Sequence, residues 1–83
     1  MKPTAWEFRN KLTVILNTAR QKGQSYVDIE SGSLHKDVGG DANAHHRMPV
    51  CCEVMMKMMR NGDSILKEAS SGHSATLTIR YVV

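Results

Sequence analysis

The sequence has few of the residues that build disulfide scaffolds, membrane spans or disordered segments. Its two cysteines, Cys51 and Cys52, are adjacent, and neighbouring cysteines bridge only with a strained backbone, which argues against a disulfide framework. No apolar run approaches the ~20 residues that cross a bilayer. Only two of the 83 residues are proline and 41% are hydrophobic, which is not a disordered composition. We therefore predict a single small domain over residues 1–83, with no membrane contact.

The start of the chain and the charge distribution give two further expectations. One lysine followed by polar sequence is not a secretory signal, and unbridged thiols fit a reducing compartment, so a cytoplasmic location is expected. The net charge of +3 is mild but uneven, since residues 1–22 carry five basic side chains against Glu7, whereas residues 23–46 are acidic. A basic first helix suits a polyanion, although most such charges simply solvate a surface.

The first helix is predicted over residues 5–22. Thr4 and Glu7 have the spacing of a capping box, in which the hydroxyl and the carboxylate satisfy each other's backbone amides. Apolar residues then recur at i, i+4, i+7, i+8 and i+11 between Phe8 and Ala19, which is one face of a helix. Gly23 is a natural end for this helix.

A short strand and a short helix are predicted next. Residues 26–29 form the strand, and hydroxyls within residues 31–33 are placed to N-cap a two-turn helix that ends at a glycine pair. Leu34 and Val38 lie one turn apart and define its buried side. His35 is therefore expected on the exposed side.

The stretch HHRMPVCCEVMMKMM, residues 45–59, leads into a third helix predicted over residues 49–61, with Pro49 in its first turn. Its buried stripe at i, i+3, i+4 and i+7 is Cys51, Val54, Met55 and Met58. At least Met56 or Met59 must then lie near the surface. Two strands follow, at residues 64–69 and 75–83, with a polar hairpin tip at 70–74.

The order helix, strand, short helix, helix, strand, turn, strand resembles the winged helix-turn-helix fold, with particular support from VDIESGSLHKDVGG at residues 27–40. The resemblance implies an α+β, winged-helix-like fold of three helices and a small antiparallel sheet. LHKDVGG followed by HRMPVCCEVM is also similar to a small bacterial or phage family of undefined function, which implies no activity.

The winged-helix resemblance implies a nucleic-acid-binding or transcription-regulatory module whose partner is double-stranded DNA. The third helix would lie in the major groove and the hairpin tip beside the backbone. Carried over by position, the candidate contacts are Arg47, Glu53, Lys57, Arg60, Ser71, His73 and Ser74. The chain departs from the family in three ways. Nine residues (39–47) separate the second and third helices, where the motif has ~3–4, and the hairpin tip has no Lys or Arg. The third helix also carries more methionine than base-reading side chains.

The alternative is a winged-helix protein-interaction or homodimerisation module that does not bind DNA. Its candidate interface residues are Met56, Met59 and Tyr81. Exposed methionines adapt to varied partners, and the last strand is apolar to its final residue, which invites pairing if that strand lies at a sheet edge.

Two chemical hypotheses are disfavoured. A metal site would use some of His35, His45, His46, Cys51 and Cys52, but their spacing is not that of known ligand pairs. A reactive thiol would need a lowered pKa and an oriented base, and no base is fixed by the sequence. We predict instead that Cys51 is a core residue and that Cys52 is half-covered. With no carboxylate pair, phosphate loop or nucleophile–base motif, the sequence predicts a non-enzymatic protein without metal or cofactor.

Overall fold

The computed structural model of the protein describes residues 4–39, 48–68 and 75–83. The elements in chain order are α1 (Ala5–Gln21), β1 (Tyr26–Glu30), α2 (Ser31–Gly39), α3 (Met48–Lys57), β2 (Ser64–Lys67) and β3 (Thr78–Val82). Within these residues the fold is α+β, with three helices and a three-stranded antiparallel sheet, and the order of the elements matches the winged-helix-like arrangement that the sequence predicts. Most of the predicted loop and all of the predicted hairpin tip lie outside the described residues.

Helix α1 is fixed at both ends by local chemistry. The Thr4 hydroxyl accepts the Glu7 N–H at 3.3 Å, and the Glu7 carboxylate accepts the Thr4 N–H at 3.3 Å, so the predicted capping box is present. At the other end Gly23 adopts a φ of +79°, and its N–H donates to the Arg20 carbonyl at 3.1 Å. The prediction of the first helix is confirmed.

The sheet has the order β1-β3-β2, with β3 in the middle. Asp28 of β1 lies opposite Arg80 of β3, and Ile65 of β2 lies opposite Ile79 on its other side. An irregularity between Ile65 and Lys67 shifts the register of β2. Strand β3 is therefore not at a sheet edge, because both of its sides already pair within the chain. The condition for pairing with another chain through the last strand is not met.

Helix α2 begins directly at the end of β1, so residues 31–33 lie inside the helix rather than at its N-cap. The Ser31 N–H donates to the Leu77 carbonyl at 2.7 Å, and the Gly32 N–H donates to the Ala75 carbonyl at 3.0 Å. Backbone carbonyls just before β3 thus satisfy the first two amides of the helix. A Cβ on Gly32 would lie 2.9 Å from the Ala75 oxygen, so this close approach favours glycine.

The three helices contact one another, and their apolar residues join the inner side of the sheet in one core. Its fully buried side chains include Phe8, Leu12, Leu34, Cys51, Met55, Ile79 and Tyr81. Burial of Phe8 and Leu12 from α1, and of Cys51 and Met55 from α3, follows the predicted helical stripes. Leu77, Ile79 and Tyr81 alternate inward as predicted.

Two predictions of exposure are wrong. His35 is only 4% exposed, and Cys52 is only 1% exposed. Helix α2 packs against α1, α3 and β1, so its surroundings cover more of its circumference than the side marked by Leu34 and Val38. The ring of Phe8 lies 5.5 Å from the His35 ring between centroids, which shows that α1 covers this position.

Helix α3 ends at Lys57, before the predicted end at residue 61. The Tyr81 hydroxyl donates to the Met55 carbonyl at 2.7 Å, so a side chain from β3 satisfies a carbonyl in the last turn of α3. The Asp63 carboxylate then accepts the Arg60 N–H at 2.8 Å and the Val82 N–H at 2.7 Å. These contacts hold the residues that follow α3 against β3, where the helix has ended.

Candidate functional site

A groove of about 310 Å³ lies between the second half of α1, the end of α3 and the last residues of β3. Its charged lining residues are Arg20, Lys57, Arg60 and Asp63. Its apolar lining residues are Leu16, Met58, Met59, Tyr81 and Val82. We call this surface the cationic groove, because three of its four charged side chains are basic.

Two of the basic side chains are positioned by helix ends. Arg20 lies in the last turn of α1, and its Nη1 donates to Asn17 Oδ1 at 2.8 Å. Lys57 is the final residue of α3, and its Nζ lies 2.8 Å from Glu53 Oε1. Both partners of that ion pair are more than half exposed, so it contributes at most about 1 kcal/mol and leaves Lys57 able to change partner.

The acidic residue of the groove is held by backbone groups. Both oxygens of Asp63 accept backbone hydrogen bonds, from Arg60 and from Val82. Among the described lining residues Asp63 is the one carboxylate, set against three cations. The groove lining therefore combines three cations with apolar side chains, a combination that suits an anion with an apolar body.

The structure brings together two of the predicted nucleic-acid contacts. Lys57 and Arg60 both line the groove, whereas Glu53 is exposed on α3 outside the lining and pairs with Lys57. The other four candidates lie outside the described residues; they are Arg47, Ser71, His73 and Ser74. Sequence reasoning missed Arg20 as a site residue, although the basic charge of residues 1–22 was a signal for it.

The outward side of α3 is poor in groups that read DNA bases. Arg, Asn and Gln make most bidentate contacts to base edges in the major groove. None of these residue types occurs between Met48 and Lys57, and the exposed residues there are Pro49, Glu53, Met56 and Lys57. Any duplex readout by this helix would depend on its single cation.

The candidate interface residues have three different environments. Met56 is 50% exposed on α3, so the prediction that Met56 or Met59 lies near the surface is confirmed. Met59 is half-buried and lines the groove. Tyr81 is buried within the core and hydrogen-bonded to Met55, so its assignment to an interface is wrong. Burial also raises the pKa of the Tyr81 phenol above its ordinary value.

The adjacent thiols are packing groups. Cys51 Sγ donates to the Ser31 carbonyl at 3.5 Å, and burial raises the pKa of the Cys51 thiol to about 12. Burial raises the pKa of the Cys52 thiol as well. Because the thiolate is the nucleophile, these shifts oppose the reactive-thiol hypothesis. The prediction that Cys51 is a core residue is confirmed.

The described part of the chain has neither a cluster of metal ligands nor a helix that could span a membrane. No group of three or more His, Cys, Asp or Glu side chains within residues 4–39, 48–68 and 75–83 is arranged to hold a metal ion. His45 and His46 lie outside those ranges. Over the same ranges, no helix combines the length and the apolar composition that crossing a membrane requires.

The fold and the groove together define a winged-helix-like α+β domain with a cationic groove that apolar side chains also line. Comparison with protein-family models, curated proteins and solved structures finds no match to this chain. Its function must therefore be inferred from its own residues.

Proposed function

We propose that this chain is a small, non-enzymatic nucleic-acid-binding module that contacts phosphate groups through the cationic groove. The observation that carries the proposal is the meeting of Arg20, Lys57 and Arg60 at one concave surface. These cations come from three separate positions in the fold, the end of α1, the end of α3 and the turn before β2.

Phosphate contact is the interaction that this set of side chains favours. A guanidinium group binds phosphate through two parallel hydrogen bonds, and a lysine ammonium binds it as a point charge. Such contacts supply most non-specific affinity for nucleic acids and carry little sequence information. Phosphate binding of this kind does not require the base-reading side chains that α3 lacks.

The test is a salt titration of binding to a random-sequence oligonucleotide, measured by fluorescence anisotropy. Three phosphate contacts give a slope of log affinity against log salt of roughly −2 to −3. We expect the triple variant Arg20→Gln/Lys57→Gln/Arg60→Gln to lose most of this slope and to bind weakly at low salt.

A charge-matched control separates the groove from general basicity. The variant Lys22→Gln/Lys36→Gln/Lys67→Gln removes three exposed cations that do not line the groove, so its slope should stay close to that of the wild type. No binding at low salt, or an equal loss in the two triple variants, would refute the proposal.

A protein-interaction or homodimerisation module remains the second candidate, and one observation favours it. Met56 is half-exposed on α3 beside the exposed Glu53–Lys57 pair, as in an adaptable protein contact. Light scattering separates the two candidates. A mass that rises with concentration, together with absent nucleic-acid binding, supports the interaction module.

A further inference from the structure

We infer that the cationic groove holds one unstacked nucleotide, so that the chain binds single-stranded nucleic acid in preference to duplex. This inference rests on the proposed function and names the class of nucleic acid that the same site takes.

The volume of the groove suits a ligand as small as one nucleotide. Its volume of about 310 Å³ is at the lower end of the roughly 300–1,000 Å³ typical of small-ligand pockets. Bases in a duplex are stacked, and one enters a pocket only after leaving the stack. A single strand presents bases that are already available, so the unstacking penalty is smaller.

The apolar side chains of the groove lining offer packing for a flat base. Met58 and Met59 are half-buried and lie in the lining with Leu16 and Val82. Methionine sulfur makes favourable contacts with aromatic rings, and its flexible side chain adjusts to the shape of its partner. Every nucleobase has such a ring, so this contact would be tolerant of sequence.

The polar side chains of the same lining supply the groups that the rest of a nucleotide needs. Arg20 and Arg60 provide guanidinium groups for a phosphate, and Lys57 adds a third cation. Asn17 and Thr13 bring a carboxamide and a hydroxyl to the same lining, and both group types hydrogen-bond to exposed base edges.

Duplex recognition has less support from the same fold. A winged-helix domain that reads duplex DNA uses the outward side of its third helix. That side of α3 presents Glu53 and Met56, with Lys57 as its only cation in the described residues. The cationic groove lies at the C-terminal end of α3 and not along this outward side.

The experiment compares one labelled oligonucleotide as a single strand and as a duplex with its complement, at the same salt concentration. We expect the single strand to bind roughly tenfold tighter or more, the factor that stacking of one base supplies. Unlabelled adenosine 5′-monophosphate should compete more strongly than inorganic phosphate.

Matched variants locate the contact. Met58→Gln/Met59→Gln keeps side-chain length but makes this part of the lining polar, and should reduce the single-strand preference. Met56→Gln, on α3 outside the lining, should leave that preference unchanged. If the double variant is unfolded by circular dichroism, methyl NMR of the six methionines in the wild type replaces it, with Met58 and Met59 expected to shift most on addition of the mononucleotide.

The outcomes separate this inference from the proposed function. Equal affinity for single strand and duplex, with the predicted salt slope, overturns the inference and leaves the proposed function in place. Failure of both to bind overturns both. A single-strand preference that Met56→Gln lowers as much as the double variant, or methyl shifts away from Met58 and Met59, also overturns the inference.

Discussion

Two groups of side chains in this molecule differ in their exposure to solvent. They are the thiol cluster, which we define as Ser31, His35, Cys51 and Cys52, and the cationic groove. The cluster holds the residue types with the richest chemistry, yet each is less than 5% exposed and packed within the core. The groove is lined by common surface residues, Arg20, Lys57 and Arg60, that meet at one concavity. Position in the fold, rather than residue type, thus separates the side chains that pack in the core from those that line the groove.

Neighbouring methionines on α3 give the largest test of this contrast. Met55 is fully buried and Met56 is 50% exposed. We expect Met55→Ala to lower the free energy of unfolding by about 2–5 kcal/mol, through lost burial and a cavity. Met56→Ala should change it by no more than about 0.5 kcal/mol. Urea denaturation measures both free energies of unfolding. Similar losses in the two variants would contradict the assignment of Met55 to the buried side of α3 and of Met56 to its exposed side.

Removing one hydroxyl should have a smaller effect. Tyr81→Phe leaves the Met55 carbonyl without its donor inside the core, at an expected cost of about 1–3 kcal/mol. Tyr26→Phe removes a hydroxyl from a side chain that is 47% exposed and serves as the matched control, with little expected change. Equal melting temperatures for wild type and Tyr81→Phe would show that the hydroxyl does not stabilise the end of α3.

The smallest expected effect concerns the thiol cluster at alkaline pH. Since burial raises the pKa of Cys51 from 9.0 to about 12, the fold favours the neutral thiol. Its contribution to stability is complete below about pH 8 and falls by about 0.8 kcal/mol between about pH 8 and 9.5, as the unfolded chain loses the proton. Urea midpoints of wild type and Cys51→Ala across this range measure the difference.

Cys51→Ala removes the titrating group, so its stability should fall less steeply with rising pH than that of the wild type. Parallel profiles would argue that the thiol ionises as easily in the folded protein as in the unfolded one. Alkylation of the native protein near neutral pH should likewise be much slower than alkylation in denaturant.

Local signals predicted α1 and the inward alternation of β3, because the Thr4–Glu7 capping box and the period-2 pattern around Ile79 lie within a few residues. The burial of His35 and Cys52 was missed because it depends on how helices cover one another. The end of α3 was placed too late for a related reason, since Tyr81 and Asp63 act on it across the fold.

The groove was only half predictable. Lys57 and Arg60 share one stretch of sequence and followed from the winged-helix resemblance. Arg20 lies far from them in the chain and meets them only when α1 packs against α3. No pattern in a single sequence predicts that residues so far apart in the chain will line one groove.

Because β3 is the middle strand, the sheet cannot form before the end of the described chain is available. Strands β1 and β2 pair with β3 and not with each other, and Asp28 meets Arg80 across 52 positions of sequence. The first amides of α2 also use carbonyls of Ala75 and Leu77. On the ribosome, α1 forms from local contacts, but the sheet must wait until residues 75–82 emerge. Until then Ile29 of β1 lacks Ile79, its partner in β3, and an unpaired strand favours aggregation and chaperone binding.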